Sequence, residues 1–233
     1  MISGKFFLLR IQKYLILLIP LALLTGPFLP DAIISLCSLF LIFSVIKEKN
    51  YKLFLNKLFI IFFLFCIYLV FLSIFIAENT LLSFESTLFY FRFGFFVLSV
   101  VYVLQNDEEF ENFFLKVLFF SILLLISDAY LQYFSGFNSI AFVLKILNLN
   151  ELIDKYGYSY SGIYPDNRLS SFLGKEKILG SYVTRILPFV ILFIYKFYNK
   201  DNYFLSVFLI FTFTSCSVLV LLSGERSAFF SFI

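Results

Sequence analysis

Three arginines stand inside or beside long apolar runs of this sequence: Arg92 in "FYFRFGFF", Arg185 in "GSYVTRILPF" and Arg226 in "SGERSAFF". A charged side chain near the centre of a bilayer costs roughly 2.5 to 3.5 kcal/mol or more, so such residues usually face protein or a water-filled cavity. The planar guanidinium fork matches phosphate oxygens. Together the three residues predict a cationic pocket that suits a lipid-linked diphosphate. The alternatives are that Arg92 snorkels to lipid head groups and that Arg226 anchors a helix end.

Acidic residues near these arginines are candidates for a general base. Asp166 and Glu176 lie in the connection before Arg185, and Glu225 directly precedes Arg226. Each carboxylate could accept a proton from a sugar hydroxyl or could pair with an arginine. No spacing rule separates the two roles, and ion pairing is the more common one.

Other polar residues are predicted to line the same cavity. In "SDAYLQYFSG", Asp128 and Gln132 are four residues apart and therefore share one face of a helix. Tyrosine rings can stack on sugars, although tyrosine is also common at membrane interfaces. The tyrosines in question follow in a stretch rich in Gly and Ser: Tyr156, Tyr158, Tyr160 and Tyr164.

The composition shows what kind of protein must position these residues. Of 233 residues, 61% are hydrophobic and 14% are charged, whereas a soluble domain has about 25% charged residues. An integral membrane protein is therefore predicted. The net charge of +3 comes without a basic tail, which argues against a nucleic-acid partner. There is no His, and the three cysteines lie inside apolar runs, so we expect no metal, no cofactor and no disulfide framework.

Seven apolar runs approach the ~20 residues that span a bilayer. An eighth run begins at Ser227, and "TGPFLPD" marks a turn between the first two. The sequence therefore predicts an all-α polytopic bundle that forms one membrane domain over residues 1–233. The predicted spans are 14–29, 32–46, 58–77, 88–104, 113–134, 178–197 and 203–222.

Lysine and arginine are unevenly distributed between the connections. The short turns predicted at 30–31 and 78–87 contain none, whereas the segments on the other side contain ten. Cytoplasmic connections carry the excess of positive charge, so the N-terminus is predicted to be cytoplasmic. The connection at 135–177 is then external, and the apolar spacing in its first half predicts a helix on the membrane surface. The ten basic residues are Lys5, Arg10, Lys13, Lys47, Lys49, Lys52, Lys57, Lys116, Lys196 and Lys200.

The stretch at 168–188, "RLSSFLGKEKILGSYVTRILP", resembles a motif of the bacterial O-antigen ligase and O-antigen polymerase families. "FYFRFG", "DAYLQYFSGFN" and "LLSGERSAF" resemble other segments of these families in the same order along the chain, and "TGPFLPD" fits their first hairpin. The chain differs at Ser171–Phe172, where Gly-Pro is expected, and at Lys175, where an acidic residue is expected. The matching residues are Arg168, Gly174, Glu176, Gly180, Ser181, Tyr182, Arg185 and Pro188.

The resemblance implies a multi-pass glycosyltransferase in the bacterial inner membrane, with its active site at the periplasmic face. Its donor would be an undecaprenyl-diphosphate-linked glycan, and its acceptor either lipid A-core or a growing glycan. Neither a nucleotide sugar nor a metal would be required. The resemblance assigns diphosphate binding to Arg92, Arg185 and Arg226, with Arg168 added, and leaves Glu176 and Asp166 as candidate catalytic carboxylates.

Other functions stay open from the sequence. A transporter or flippase of lipid-linked sugars or anions is one alternative, and a non-catalytic membrane partner is another. Ligase and polymerase are not distinguished. The seven residues after Arg226 are too few to cross a ~30 Å hydrocarbon core. The resembling ligases use a His beyond this region, so we expect the chain to be the donor-binding part of a longer enzyme and inactive in transfer alone.

Overall fold

The computed structural model describes residues 2–136, 138–149, 151, 153, 169–173, 178–197 and 203–232. Over these residues the chain forms α-helices and short 3₁₀ turns and contains no strand. The predicted all-α class is confirmed. The α-helices are α1 (Ile2–Ala22), α2 (Phe28–Glu48), α3 (Lys57–Phe75), α4 (Thr80–Leu88), α5 (Phe91–Asn106), α6 (Phe110–Ser135), α7 (Ser139–Ile146), α8 (Leu179–Phe197), α9 (Tyr203–Leu222) and α10 (Arg226–Phe232).

The described helices include seven segments that are long and apolar enough to cross a membrane. This number agrees with the sequence prediction, and the chain is a multi-pass membrane protein. The first segment begins earlier than predicted, and the fourth includes α4 as well as α5. The seven segments are Phe7–Thr25, Phe28–Glu48, Lys57–Phe75, Thr80–Asn106, Phe110–Ser135, Leu179–Phe197 and Tyr203–Leu222.

The predicted turn between the first two spans is shorter than "TGPFLPD" suggested. A 3₁₀ turn at Leu23–Thr25 leads to Gly26, and Pro27 is the N-cap of α2. Pro30 and Asp31 lie in the first turn of α2 rather than in the turn before it. Proline is tolerated there because the first backbone N–H groups of a helix have no intrahelical partner.

The segment predicted as a short turn at 78–87 is largely helical, so that prediction was wrong. Two hydroxyls of α4 donate to backbone carbonyls one turn earlier: Ser86 Oγ donates to Leu82 O at 2.9 Å and Thr87 Oγ1 to Phe84 O at 3.0 Å. Such back-bonding allows hydroxyl residues to stay inside a helix.

The chain divides into two compact units, and the first contains Met1–Leu23 and Pro27–Phe114. In this unit α2 packs on α1 and α5, and α3 packs on α4 and α5. The close approach of α3 to α5 requires Gly94, because a Cβ there would lie 2.6 Å from ring carbons of Phe62. The buried core between α2 and α5 consists of Leu41, Val45, Leu98 and Tyr102.

Polar contacts tie the C-terminal end of α5 to α1 and α2. Lys13 Nζ donates to Asp107 Oδ2 at 2.5 Å, and the Tyr102 hydroxyl donates to Glu48 Oε1 at 2.7 Å. The hydrogen bond from Lys13 lowers the pKa of the Asp107 carboxyl below its usual value. This end of the first unit is therefore held by charge as well as by apolar packing.

The second unit contains Leu24–Gly26 and Leu115–Ile233. Here α6, α8 and α9 meet at a core in which the rings of Phe119 and Phe193 stack with centroids 4.1 Å apart. Helix α10 packs on α8 and α9. A helix is present in the first half of the predicted external connection as α7, with Asn138 as its N-cap. That it lies on the membrane surface stays a prediction. The prediction that residues 1–233 form one membrane domain stays a prediction.

Candidate functional site

Arg92 lies in the first turn of α5 and is ion-paired to a residue of α2. Its Nη2 donates to Asp31 Oδ2 at 2.9 Å, and its Nη1 lies 3.5 Å from Ser35 Oγ. The rings of Phe89 and Phe93 lie 5.8 Å and 5.1 Å from the guanidinium carbon, close enough for cation–π attraction. Arg92 is thus held by α2 and by two neighbouring aromatic rings, and among the described residues its buried Nε has no hydrogen-bond partner.

Asp31 was not predicted as a site residue. The signal was present in "LPDAII", because an acidic residue in the first turn of a helix is favoured by the helix dipole. Its pairing with Arg92 spans 61 positions, which local spacing does not reveal. The side chain of Asp31 is 49% exposed, so this ion pair borders solvent or lipid head groups rather than the core.

Asp128 and Gln132 share one face of α6, as predicted, but that face is buried. Their side chains hold the turn at 169–173: Asp128 Oδ2 accepts from Ser171 Oγ at 2.6 Å, and Gln132 Oε1 accepts from Ser171 N at 2.7 Å and from Ser170 N at 3.3 Å. That they line the predicted cavity stays a prediction. They position the chain immediately after Arg168.

The backbone of Ser171 is left-handed, with φ of 49°. Glycine is the residue best suited to this region, and glycine is also what the resembling families are expected to have at this position. Asn138 helps to hold the same turn, since its Nδ2 donates to Ser171 O at 2.9 Å. Its Oδ1 accepts from the N–H groups of Ile140 and Ala141, so one side chain joins the start of α7 to the turn.

Glu225 caps the N-terminus of α8. Its carboxylate accepts the backbone N–H of Gly180 at 2.8 Å, the N–H of Ser181 at 3.0 Å and the Ser181 hydroxyl at 2.5 Å. The residue is buried. From the sequence, Glu225 was considered as a general base or as the partner of Arg226, and these bonds agree with neither role. Both of its carboxylate oxygens accept N–H groups at the start of α8, where backbone N–H groups have no partner within the helix.

Gly180 allows the first turn of α8 to pack closely against residues 223–228. A Cβ there would lie 2.2 Å from Ser223 Oγ and 3.0 Å from Ala228 Cβ. The first turn of α8, the turn before α10 and the start of α10 are therefore in direct contact. We call residues 179–185 and 223–228 the α8–α10 junction.

Arg185 and Arg226 both lie on this junction with exposed side chains. Arg185 follows Ser181 by one helical turn and so lies on the same side of α8, while Arg226 follows Glu225 directly. Within the described part of the chain, neither arginine forms an ion pair. Among the described residues, no carboxylate occupies either guanidinium group.

Several predicted site residues lie outside the described residues: Glu176, Asp166, Arg168, Tyr160 and Tyr164. Their roles stay predictions. Arg92 belongs to the first unit, and Arg185 and Arg226 belong to the second. That all three line one pocket also stays a prediction.

Among the described residues, no cluster of three or more His, Cys, Asp or Glu side chains could hold a metal ion. The three cysteines, Cys37, Cys66 and Cys216, are free and buried. Comparison of the chain with protein-family models, curated proteins and solved structures finds no match. The resemblance to the O-antigen ligases and polymerases therefore rests on the quoted motifs alone.

Proposed function

We propose that this protein transfers glycan from an undecaprenyl-diphosphate carrier, as O-antigen ligases and polymerases do, at the periplasmic face of a bacterial inner membrane. The observation that carries the proposal is the pair of exposed guanidinium groups of Arg185 and Arg226 on the α8–α10 junction, neither of which forms an ion pair within the described residues. A diphosphate has two anionic groups and offers many acceptor oxygens. Two arginine forks on one junction match that ligand better than a single charge would.

The junction is built to keep these arginines in place. Glu225 satisfies the N–H groups of Gly180 and Ser181, so the carboxylate nearest to Arg226 in sequence is occupied. Its negative charge is committed to α8 and leaves Arg226 available for a ligand. A binding site is more precise when its residues are held by such supporting contacts.

Arg92, which lies in the first unit, is a separate candidate for binding a diphosphate. Its ion pair with Asp31 is half-exposed on the carboxylate side, and ion pairs of this kind contribute little net stability. The diphosphate would compete with Asp31 for the guanidinium fork. Asp31 then acts as a stand-in anion that keeps Arg92 oriented when no donor is bound.

In the proposed reaction an acceptor hydroxyl oxygen forms a bond to the anomeric carbon of the donor sugar. The bond from that carbon to the diphosphate oxygen breaks, and undecaprenyl diphosphate leaves with the electron pair. Positive side chains stabilise the charge that develops on this leaving group. The hydroxyl proton passes to a carboxylate, for which Glu176 and Asp166 are the candidates.

The left-handed backbone at Ser171 supports the likeness to the O-antigen families. A position where the family motif has glycine is also a position where this chain adopts a conformation that glycine favours. The turn carrying it is fixed by Asp128 and Gln132, which belong to another of the resembling segments. Two separate parts of the resemblance thus meet in one hydrogen-bonded cluster.

The proposal is tested by ligand binding and by product formation. The purified protein in lipid nanodiscs is titrated with an undecaprenyl-diphosphate-linked glycan, and bound ligand is counted by native mass spectrometry. We expect R185A and R226A each to weaken binding about tenfold or more and R185K to rescue poorly, because lysine lacks the bidentate fork. The matched control is R10A, which removes an exposed arginine of α1. Equal binding by R185A, R226A and R10A would rule out the diphosphate site.

A second measurement separates transfer from transport. The natural gene product is incubated with the lipid-linked glycan and either lipid A-core or a second copy of the donor. A new glycosidic bond, detected by mass, supports a transferase and shows whether it ligates or polymerises. Movement of the lipid carrier across a proteoliposome membrane with no new bond would contradict the proposal and favour a flippase.

A further inference from the structure

We propose that the α2–α3 connection, residues 47–57, binds the phosphate head group of an anionic phospholipid. This site lies in the first unit, at the end of α5 opposite to Arg92, and it does not depend on the proposed glycan transfer.

Positive charge is concentrated on the connection and is not neutralised there. Lys47, Lys49, Lys52 and Lys57 are all exposed. Within the described residues none of them forms an ion pair. Glu48 is the only acidic residue in the stretch, and its Oε1 accepts the Tyr102 hydroxyl at 2.7 Å. The Glu48 carboxylate is thus hydrogen-bonded to α5, whereas the four lysine side chains are exposed on the surface.

The backbone of the connection is held by a helix C-cap and a 3₁₀ turn, which keep the lysines close together along the chain. Lys49 ends α2 in the left-handed conformation, with φ of 54°, and its N–H donates to Val45 O. The N–H of Asn50 donates to the same carbonyl at 3.2 Å. Such a C-cap turns the chain sharply at the end of a helix. A 3₁₀ turn at Tyr51–Leu55 then leads to the N-cap of α3.

An open groove of about 320 Å³ lies between this connection and the end of α5. Its polar lining comes from Asn50, Lys52, Asn56 and Gln105, and Val101 forms part of its apolar wall. The Oδ1 of Asn56 accepts the N–H of Leu58 at 3.0 Å, which leaves the Nδ2 amide of Asn56 as a donor. Amide donors beside a lysine suit a phosphate group.

The surroundings favour a lipid over a free anion. The connection joins two membrane-spanning segments, so it lies at the level of the head groups. Leu55 lines the groove and is exposed, Leu58 at the start of α3 is exposed as well, and α3 exposes most of its apolar surface. Acyl chains can therefore lie along α3 while the head group occupies the groove.

The test compares phosphatidylglycerol with phosphatidylcholine of the same acyl composition. The full chain is purified in a neutral detergent, and the lipids retained by native mass spectrometry are counted. We expect a preference for phosphatidylglycerol that K49Q/K52Q weakens by roughly fivefold for each lysine. The matched control, K116Q/K196Q, removes two lysines of the second unit and should keep the preference. Equal retention of the two lipids, or equal effects of the two double variants, would overturn the proposal.

A second variant separates the groove from diffuse attraction between charges. Q105W fills the groove from an exposed position and leaves all four lysines in place. We expect it to abolish the preference for phosphatidylglycerol. An unchanged preference in Q105W would exclude the groove as the binding site. Displacement of phosphatidylglycerol by millimolar inorganic phosphate would show that the groove takes free phosphate, and the lipid proposal would then be wrong.

Discussion

The carboxylate of Glu225 accepts the backbone N–H of Gly180 at 2.8 Å, across 45 positions of the sequence. A residue that precedes α10 thus completes the N-terminus of α8. Because Arg185 and Arg226 lie on the two elements joined in this way, the bond helps to determine the positions of these two exposed arginines.

Loss of the Glu225 carboxylate should loosen the α8–α10 junction. E225A leaves two N–H groups without their acceptor, and each such buried group costs about 1–3 kcal/mol. E225Q retains one acceptor oxygen and should lie between E225A and the wild type. The measurement is the temperature at which buried Cys216 of α9 becomes labelled by a thiol reagent, and E85A on the exposed surface of α4 is the control. Labelling of E225A at the control temperature would contradict the capping role.

A methyl group at Gly180 should be poorly tolerated. In G180A the added carbon would lie 2.2 Å from Ser223 Oγ, and overpacking of this kind costs about 1–3 kcal/mol. Removing that oxygen in G180A/S223A should recover part of the loss, because the next contact is Ala228 Cβ at 3.0 Å. Cys216 labelling again reports the change. A double variant that is less stable than G180A would show that the close contact is not the cause.

Acid should weaken the link between α1 and the end of α5. Because Lys13 lowers the pKa of Asp107 in the folded state, the carboxylate contributes stability above its unfolded pKa of about 3.9. That contribution is lost as the pH falls through the lower, folded pKa. The midpoint of thermal unfolding, followed by circular dichroism, should fall less between pH 7 and pH 3 in D107N than in the wild type. E108Q, at the exposed neighbour, should keep the wild-type difference; equal behaviour of the two variants would contradict the assignment.

Asp31 should compete with the donor for Arg92 if Arg92 binds the diphosphate. D31N removes the competing charge, so we expect it to tighten binding of the undecaprenyl-diphosphate-linked glycan several-fold, whereas R92A should weaken it. S35A, which removes the hydroxyl 3.5 Å from Arg92, serves as a mild control. Weaker binding in both D31N and R92A would show that the ion pair supports the fold and that Asp31 does not compete.

The predicted orientation of the chain rests on the distribution of its lysines and can be measured directly. A reporter fused after residue 201 should be cytoplasmic, and one fused near residue 160 should be external, because positive connections stay inside. The reverse pattern would move Arg92 and the α2–α3 connection to the opposite faces from those proposed.

The sequence predicts best what depends on local pattern. Apolar length defined the spans, and the four-residue spacing correctly put Asp128 and Gln132 on one face of α6. Their burial was missed because their partner, Ser171, lies 43 positions from Asp128. The Glu225 cap was missed for the same reason. Spacing along a helix determines which side chains share a face, but it does not determine which distant segment packs there.

Helix α3 makes few packing contacts that would restrict which residues can be substituted in it during evolution. Only 11% of its apolar membrane-spanning segment is buried. Exchange among Leu, Ile, Val and Phe at exposed positions such as Ile61 and Leu64 keeps the surface apolar, which is all that contact with lipid requires. Phe62, opposite Gly94, and Ser73, bonded to Thr87, are different because they fit particular neighbours. Random mutagenesis of α3 should therefore retain these two residues while its lipid-facing positions interchange freely.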